Sequence, residues 1–424
     1  MNKKLLLGLL LISFVGSGCA AQGDDQLARN FQEKGLKGQP EAIGFSAELY
    51  NACKNGNIEV VKNLLKRGTM GEINAGVLDE YGITKTPFYV ACGNGYTEVV
   101  KAFLGSGKVN INAGEIWPDG ITGTPFNIAC KNGRTEVVRL LLEKLQREDI
   151  NADVLGRYAE TETPFYSTCK NGHTEVVKAF LESGKIKDIN AGWIGSNKVK
   201  ITPFFIACQN GHAEMVRLLL GSGKIKDINI GIVGKDGTTY TPFYRACECG
   251  YTEVIKALLE SGKIKNINAG WIGSDGTTET PFFIACQKGH TAVVKLLLDS
   301  GRIEDINAGI VEKGGATATP FSVACWKGHT AIVRLLLGSG GRIENINAVV
   351  QLDVRRITPF FMACFNGHTT IPPFCVACGN GHAEVVKAFL ASGKIEDINA
   401  GVVSPNGRIV MPFLIACFAG RQKL

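Results

Sequence analysis

The sequence predicts an all-α repeat solenoid: stacked helix-turn-helix units with extended β-hairpin fingers, at a period of 39. Three observations predict it. The triplet Thr-Pro-Phe begins at Thr86, Thr124, Thr163, Thr202, Thr241, Thr280, Thr319 and Thr358, spaced 38 once and then 39 six times. Each copy holds two apolar stretches at helical spacing, separated by a glycine. Between copies lie Asp-Gly or Asn-Gly pairs among β-branched residues, the strongest short-range signal for a hairpin. Self-similarity at such a period marks units that bury their apolar faces only against their neighbours.

Taken in chain order, the first element is "MNKKLLLGLLLISFVGSGCAAQGDD". Two lysines, an apolar run from Leu5 to Val15 and a set of small residues make the n-region and h-region of a bacterial secretory signal; the run is too short to cross a bilayer as a helix. Residues 1–18 are therefore expected to be a lipoprotein-like signal peptide. "GSGC", ending at Cys19, resembles the lipobox of bacterial lipoproteins, which implies that Cys19 is lipidated. Gly16 stands where that motif has a larger aliphatic, and ordinary cleavage near Ala20 or Ala21 is the alternative. Residues 19–45, with Asp24, Asp25, Gln26 and several glycines, read as a tether and N-terminal cap.

The repeat array is expected over 46–357, from a degenerate copy at Ala47. In the copy at Thr202 the threonine caps a helix and Pro203 takes its first turn. Phe204, Ile206, Ala207 and Cys208 form its apolar body, and Asn210-Gly211 stops it. Met215, Val216, Leu219 and Leu220 then recur at helical spacing until Gly223. Asp-Gly at 119, 236 and 275 and Asn-Gly at 406 predict two-residue hairpin turns between units. The copy at 358–371 is truncated: "TPFFMACFNGHTT" runs directly into "IPPFCVACGNGH". Repeats resume over 372–424, the last one incomplete, and the expectation is that the stack closes over a gap at 358–371 or that this segment loops aside.

"TPFFIACQNGHAEMVRLLL" and its sisters resemble ankyrin repeats in the Thr-Pro-large-apolar opening, the paired small residues, the Gly-His and the Val/Leu-rich second helix. The likeness covers roughly 46–424. Two features depart from it: the period of 39 exceeds the family's usual value of about 33, and the second small residue is Cys instead of Ala. The resemblance implies binding to other proteins through hairpin tips and the concave face of the first helices.

Eleven of the fourteen cysteines share that slot, among them Cys53, Cys92, Cys130, Cys169, Cys208, Cys247, Cys286 and Cys325. Packed helices lie about 8–10 Å apart, whereas a disulfide needs its Cα atoms within about 7 Å, so neighbouring rungs are expected to stay unbridged and pack as small hydrophobes. Cys249 falls outside the register, and Cys375 forms C-x-x-C with Cys378, read as packing instead of redox or metal chemistry. All six histidines occupy the Gly-His slot, which leaves no evident general base or metal ligand. No catalytic residues, metal or cofactor are expected.

Candidate contact residues are those that vary after each "AC": Lys170 and Asn171, Gln209 and Asn210, Glu248 and Cys249, Trp326 and Lys327, Phe365 and Asn366. Trp326 and Phe365 are the aromatic anchors, since large aromatics dominate interface energetics. Trp117, beside a hairpin turn, is a further contact candidate, whereas Trp193 and Trp271 are read as stiffening the hairpins. A basic residue after the helix-ending glycine (Lys108, Lys185, Lys224, Lys263, Arg302, Arg342, Lys394) raises the idea of a stripe for an anionic partner. The net charge of +7 is scattered and does not argue for nucleic acid. The expected function is a non-enzymatic protein-interaction scaffold, exported to the bacterial cell envelope and lipid-anchored, with a membrane partner only through that anchor. The alternatives are a soluble periplasmic or secreted effector-like scaffold, a structural surface array, and a thiol/redox protein.

Overall fold

The computed structural model describes residues 44–339, except 80, 119–121, 153, 156–159, 196–197, 235 and 312–316, together with 382–393, 402–403 and 409–410. The leader, Cys19, the truncated copy at 358–371 with Phe365, and the cysteines from Cys364 onward lie outside the described residues.

Each first helix begins as its local chemistry dictates. Thr86, Thr124, Thr163, Thr202, Thr241, Thr280 and Thr319 adopt extended backbone and accept a hydrogen bond from the N–H three residues on, with proline in the first turn. The helices Pro87–Asn94, Pro164–Asn171, Pro242–Cys249, Pro281–Lys288 and Pro320–Lys327 end on a glycine with φ between 76° and 83°. An L side chain there would be strained, which is why a glycine stops each of them.

Contacts divide the chain into two compact units, residues 1–188 and 189–424. In the first, helix Phe45–Lys54 packs on Pro87–Asn94, that on Pro125–Lys131, and that on Pro164–Asn171. The second helices Ile58–Arg67, Thr97–Ser106, Thr135–Lys144 and Thr174–Ser183 form a parallel row. Two short helices that no apolar period announces, Met70–Asn74 and Arg147–Ile150, precede hairpins. The former starts in a capping box, in which Glu72 N–H donates to Thr69 Oγ1 at 3.3 Å and Thr69 N–H to Glu72 Oε2 at 2.9 Å. In the second unit, helices Pro203–Gln209, Pro242–Cys249, Pro281–Lys288 and Pro320–Lys327 stack in order. Beside them run Ala213–Gly221, Thr252–Glu260, Thr291–Asp299, Thr330–Leu337 and Ala383–Ser392.

The fingers join side by side. β1 (Val77–Leu78), β2 (Thr84–Lys85), β3 (Glu115–Ile116) and β4 (Thr122–Gly123) form one antiparallel four-stranded sheet. β5 (Val154–Leu155) pairs with β6 (Thr161–Glu162), and β7 (Trp193–Ile194) with β8 (Lys200–Ile201). A second four-stranded sheet comprises β9 (Ile232–Val233), β10 (Thr239–Tyr240), β11 (Trp271–Ile272) and β12 (Thr278–Glu279). Trp271 faces Tyr240 of the neighbouring finger across the ladder.

The expected two-residue turns are corrected where they are described. Gly234 N–H donates to Thr238 O at 2.6 Å and Gly237 N–H to Gly234 O at 3.0 Å, which leaves three residues in the loop. The finger at 273–277 repeats this pattern. A two-residue type I′ turn needs positive φ at both central residues. In the finger at 273–277 neither Ser274 nor Asp275 has positive φ and Gly276, at 84°, does, so that loop is a type I turn closed by a glycine bulge; Gly237, at 85°, takes the matching position in the finger at 234–238.

The junction after the copy at Thr319 breaks the sequence spacing but not the packing. His382 Nε2 lies 2.8 Å from Trp326 O, a separation of 56 residues where the other copies have 42. Phe389 packs on Phe321, ring centres 5.5 Å apart, and Arg334 pairs with Glu384 at 3.7 Å. The helix next to Thr330–Leu337 is therefore Ala383–Ser392, so the stack continues from the copy at Thr319 to the later one.

Candidate protein-interaction face

The eight described cysteines of the repeated slot are all free and have 0% exposure, and burial pushes the thiols of Cys53, Cys169, Cys208, Cys247 and Cys286 up. They fill space between stacked first helices, where larger side chains would force those helices apart. A thiolate is the reactive species, so these groups are expected to resist Ellman's reagent in the folded chain and to react in a burst on denaturation. Rapid native modification of any of these eight, located by peptide mapping, would overturn the packing role. Among the described residues, no group of three or more His, Cys, Asp and Glu is arranged to hold a metal ion.

Among the described histidines, His173, His290, His329 and His382 tie repeats together, each reaching back to an earlier copy. The Nε2 atoms of His173, His290 and His329 lie 2.9, 2.9 and 3.1 Å from the carbonyl oxygens of Lys131, Glu248 and Gln287. The rings cover the preceding turn glycines: a Cβ on Gly133, Gly250, Gly289 or Gly328 would stand 2.4–2.7 Å from the imidazole of His173, His290, His329 or His382. Tyr96 and Tyr251 take the same seat over Gly56 and Gly211, and Arg134 over Gly95.

The basic residues after the second helices also reach backwards. Lys108 Nζ donates to the carbonyls of Leu65 and Gly68 at 3.1 and 2.9 Å. Lys185 donates to Leu142 and Leu145 at 2.5 and 3.0 Å, Lys263 to Leu220 at 3.2 Å, and Arg302 to Ile264. These cations satisfy orphan carbonyls at or beyond the ends of the preceding second helices, where positive charge also complements the helix dipole. The stripe reading for an anionic partner is thus replaced by a packing role at these four positions.

The second residue after each "AC" is likewise structural in several copies: Asn94, Asn132 and Asn171 donate to the carbonyls of Lys54, Gly93 and Lys131 at 3.3, 3.0 and 3.0 Å. The first residue keeps its side chain toward solvent to differing degrees, with Lys170 exposed and Gln209, Glu248 and Trp326 half-buried. Lys327 Nζ sits 4.7 Å from the centre of the Trp326 ring, a cation–π contact within one helix end. Trp117 is half-buried in its finger. The structure places Lys170, Gln209, Glu248 and Trp326 at one register, one per copy, and Trp117 apart from them on a hairpin; Phe365 lies outside the described residues.

Residues that were not singled out from sequence surround Glu248. Arg245 pairs with it, both half-buried, and the guanidinium carbon of Arg245 stands 5.6 Å from the Tyr240 ring centre. Tyr244 donates its hydroxyl to Glu279 at 2.6 Å; burial and then that carboxylate push its phenol well up. A departure from the repeat consensus at Arg245 was the available signal.

Helix pairs stacked through histidine and lysine ties, with a hairpin finger between successive pairs, define a tandem-repeat scaffold. The family model described as ankyrin repeats (3 copies) matches residues 49–154, 109–191, 145–230, 191–270 and 268–348. The chain belongs to the ankyrin repeat family. No curated protein matches it.

Proposed function

We propose that the protein is a non-enzymatic scaffold that binds a protein partner through its concave first-helix face and its hairpin fingers. It is exported to the bacterial cell envelope and held there by a lipid on Cys19. The observation that carries the binding role is the register of Gln209, Glu248 and Trp326 within the second unit. Their backbone positions repeat while their side chains differ in charge and size, the arrangement that suits recognition on a fixed frame. Glu248 and Trp326 also offer carbonyls to the next copy's histidine, so packing uses their backbone and leaves the side chains open to variation.

The test places a photo-crosslinking residue at Lys170, Gln209 or Lys327 and, as controls, at the exposed second-helix positions Glu175 and Lys256. One protein captured from the first set and not from the second supports the reading; equal capture from both, or none, sinks it. Fractionation of the same cells with Cys19→Ala addresses anchoring, and a shift from membrane to soluble fraction is expected. Gly16 in the lipobox-like stretch favours the second reading, a soluble periplasmic or secreted scaffold, and an unchanged soluble distribution would select it.

A further inference from the structure

One copy departs from its neighbours where they agree. The residue immediately before the small-Cys pair is Val90, Ile128, Ile206, Ile284 or Val323 in five copies and Ser167 in a sixth, but Arg245 in the copy at Thr241. Packing does not demand this charge, because Ile206 and Ile284 fill the same slot on either side, with Gln209 and Gln287 where Glu248 stands. The Arg245–Glu248 pair is largely withdrawn from water, its side chains 14% and 17% exposed. A pair so placed recovers in Coulomb attraction little more than it loses in hydration, and well-packed apolar residues of similar volume serve stability as well or better.

The surroundings are equally particular. The Tyr240 ring lies under the Arg245 guanidinium and 6.3 Å from the Tyr244 ring, and Tyr244 holds Glu279. Tyr240 and Trp271 are cross-strand partners and so share one face of their sheet. Both carboxylates are engaged within the cluster, Glu248 by Arg245 and Glu279 by Tyr244. One residue further along, in the position of Cys249, the next two copies carry cations, Lys288 and Lys327. The balance of charge along this stretch of first-helix ends is therefore positive around an aromatic platform.

We propose that this cluster is the anchor point for the partner, and that the segment it takes is an extended acidic one. A carboxylate of that segment accepts hydrogen bonds from the Arg245 guanidinium, and the adjoining residues lie over Tyr240 and Trp271. Arginine suits this role because its planar fork meets a carboxylate in two hydrogen bonds while its face stays stacked on a ring. The inference rests on the protein-binding reading above and specifies where and what that surface binds.

The test is a display library of random twelve-residue peptides selected on the full chain. The selected peptides are then titrated by fluorescence anisotropy against the wild type, Arg245→Ile/Glu248→Gln and Arg245→Lys. The double variant borrows both residues from the flanking copies, so its urea midpoint is expected to be unchanged or higher. Selected peptides are expected to share an Asp or Glu, and the double variant to bind them about tenfold or more weakly. Arg245→Lys, which keeps the charge and the fold but loses the fork, is expected to show an intermediate loss. Peptides without a shared acid, or equal affinity for all three chains, overturn the proposal. If that equal affinity is lost in Trp326→Ala, the scaffold reading stands and only this location fails. If the library yields no binder on the wild type, the protein-binding reading fails with it.

Discussion

Replacing Phe180 by alanine is expected to lower the unfolding free energy by about 3–5 kcal/mol, the cost of truncating a fully buried aromatic whose site cannot collapse. Phe180 is 1% exposed, and its ring is shared between two copies: 5.3 Å from Phe165 of its own and 5.6 Å from Phe126 of the preceding one, both edge-on. Edge-to-face pairs add about 0.5–1.5 kcal/mol beyond their buried area. A repeat array has no central core to share the loss, since each unit contacts only its neighbours. Urea unfolding followed by circular dichroism is the measurement, with a shifted midpoint and an unchanged slope as the expected signature. A loss below about 1 kcal/mol would show that the two first helices close over the gap, contrary to close packing of this interface.

Gly250→Ala is expected to cost about 2–3 kcal/mol, from two separable sources. The backbone there has φ of 78°, a left-handed conformation that costs an L residue about 1–2 kcal/mol. The new Cβ would also stand 2.6 Å from Nδ1 of His290, so the ring must move off its seat and its hydrogen bond to Glu248 O, worth about 1 kcal/mol, is lost. Gly262→Ala is the internal control, because it has φ of 65° with nothing within 4 Å of the added carbon. It carries the backbone strain alone. Equal losses at the two positions, measured in the same urea titration, would show that the histidine seat contributes nothing to the joint between repeats.

Much of the fold was legible because it is local. A threonine before a proline caps the helix that follows it, a glycine free to take positive φ stops it, and apolar side chains three and four apart choose its buried face. Each instruction lies within a dozen residues and is written seven times over in the described copies. The cysteine register was legible for the same reason, since one slot filled alike in every copy is a packing slot and all eight described members are fully buried. The candidate face was only half legible. Glu248 and Trp326 were found from their variation after "AC", but Arg245, Tyr240 and Glu279 come together from a helix and two strands as far as 39 residues apart. No window over the sequence brings these side chains together.

The sequence by itself determined the period, the boundaries of the paired helices in the described copies and the slot of eight buried cysteines, because those follow from caps, turns and apolar spacing that act over one helix. Only the tertiary structure decided what joins one copy to the next. His173, His290 and His329 reach back 42 residues to a carbonyl, Lys108 and Lys185 reach back 40 and 43 to the end of a helix, and His382 reaches back 56 to join its helix to the copy at Thr319. These ties depend on where a neighbouring copy sits in space. A polar side chain at the end of a helix carries no mark of its partner until stacking places one orphan carbonyl within its reach.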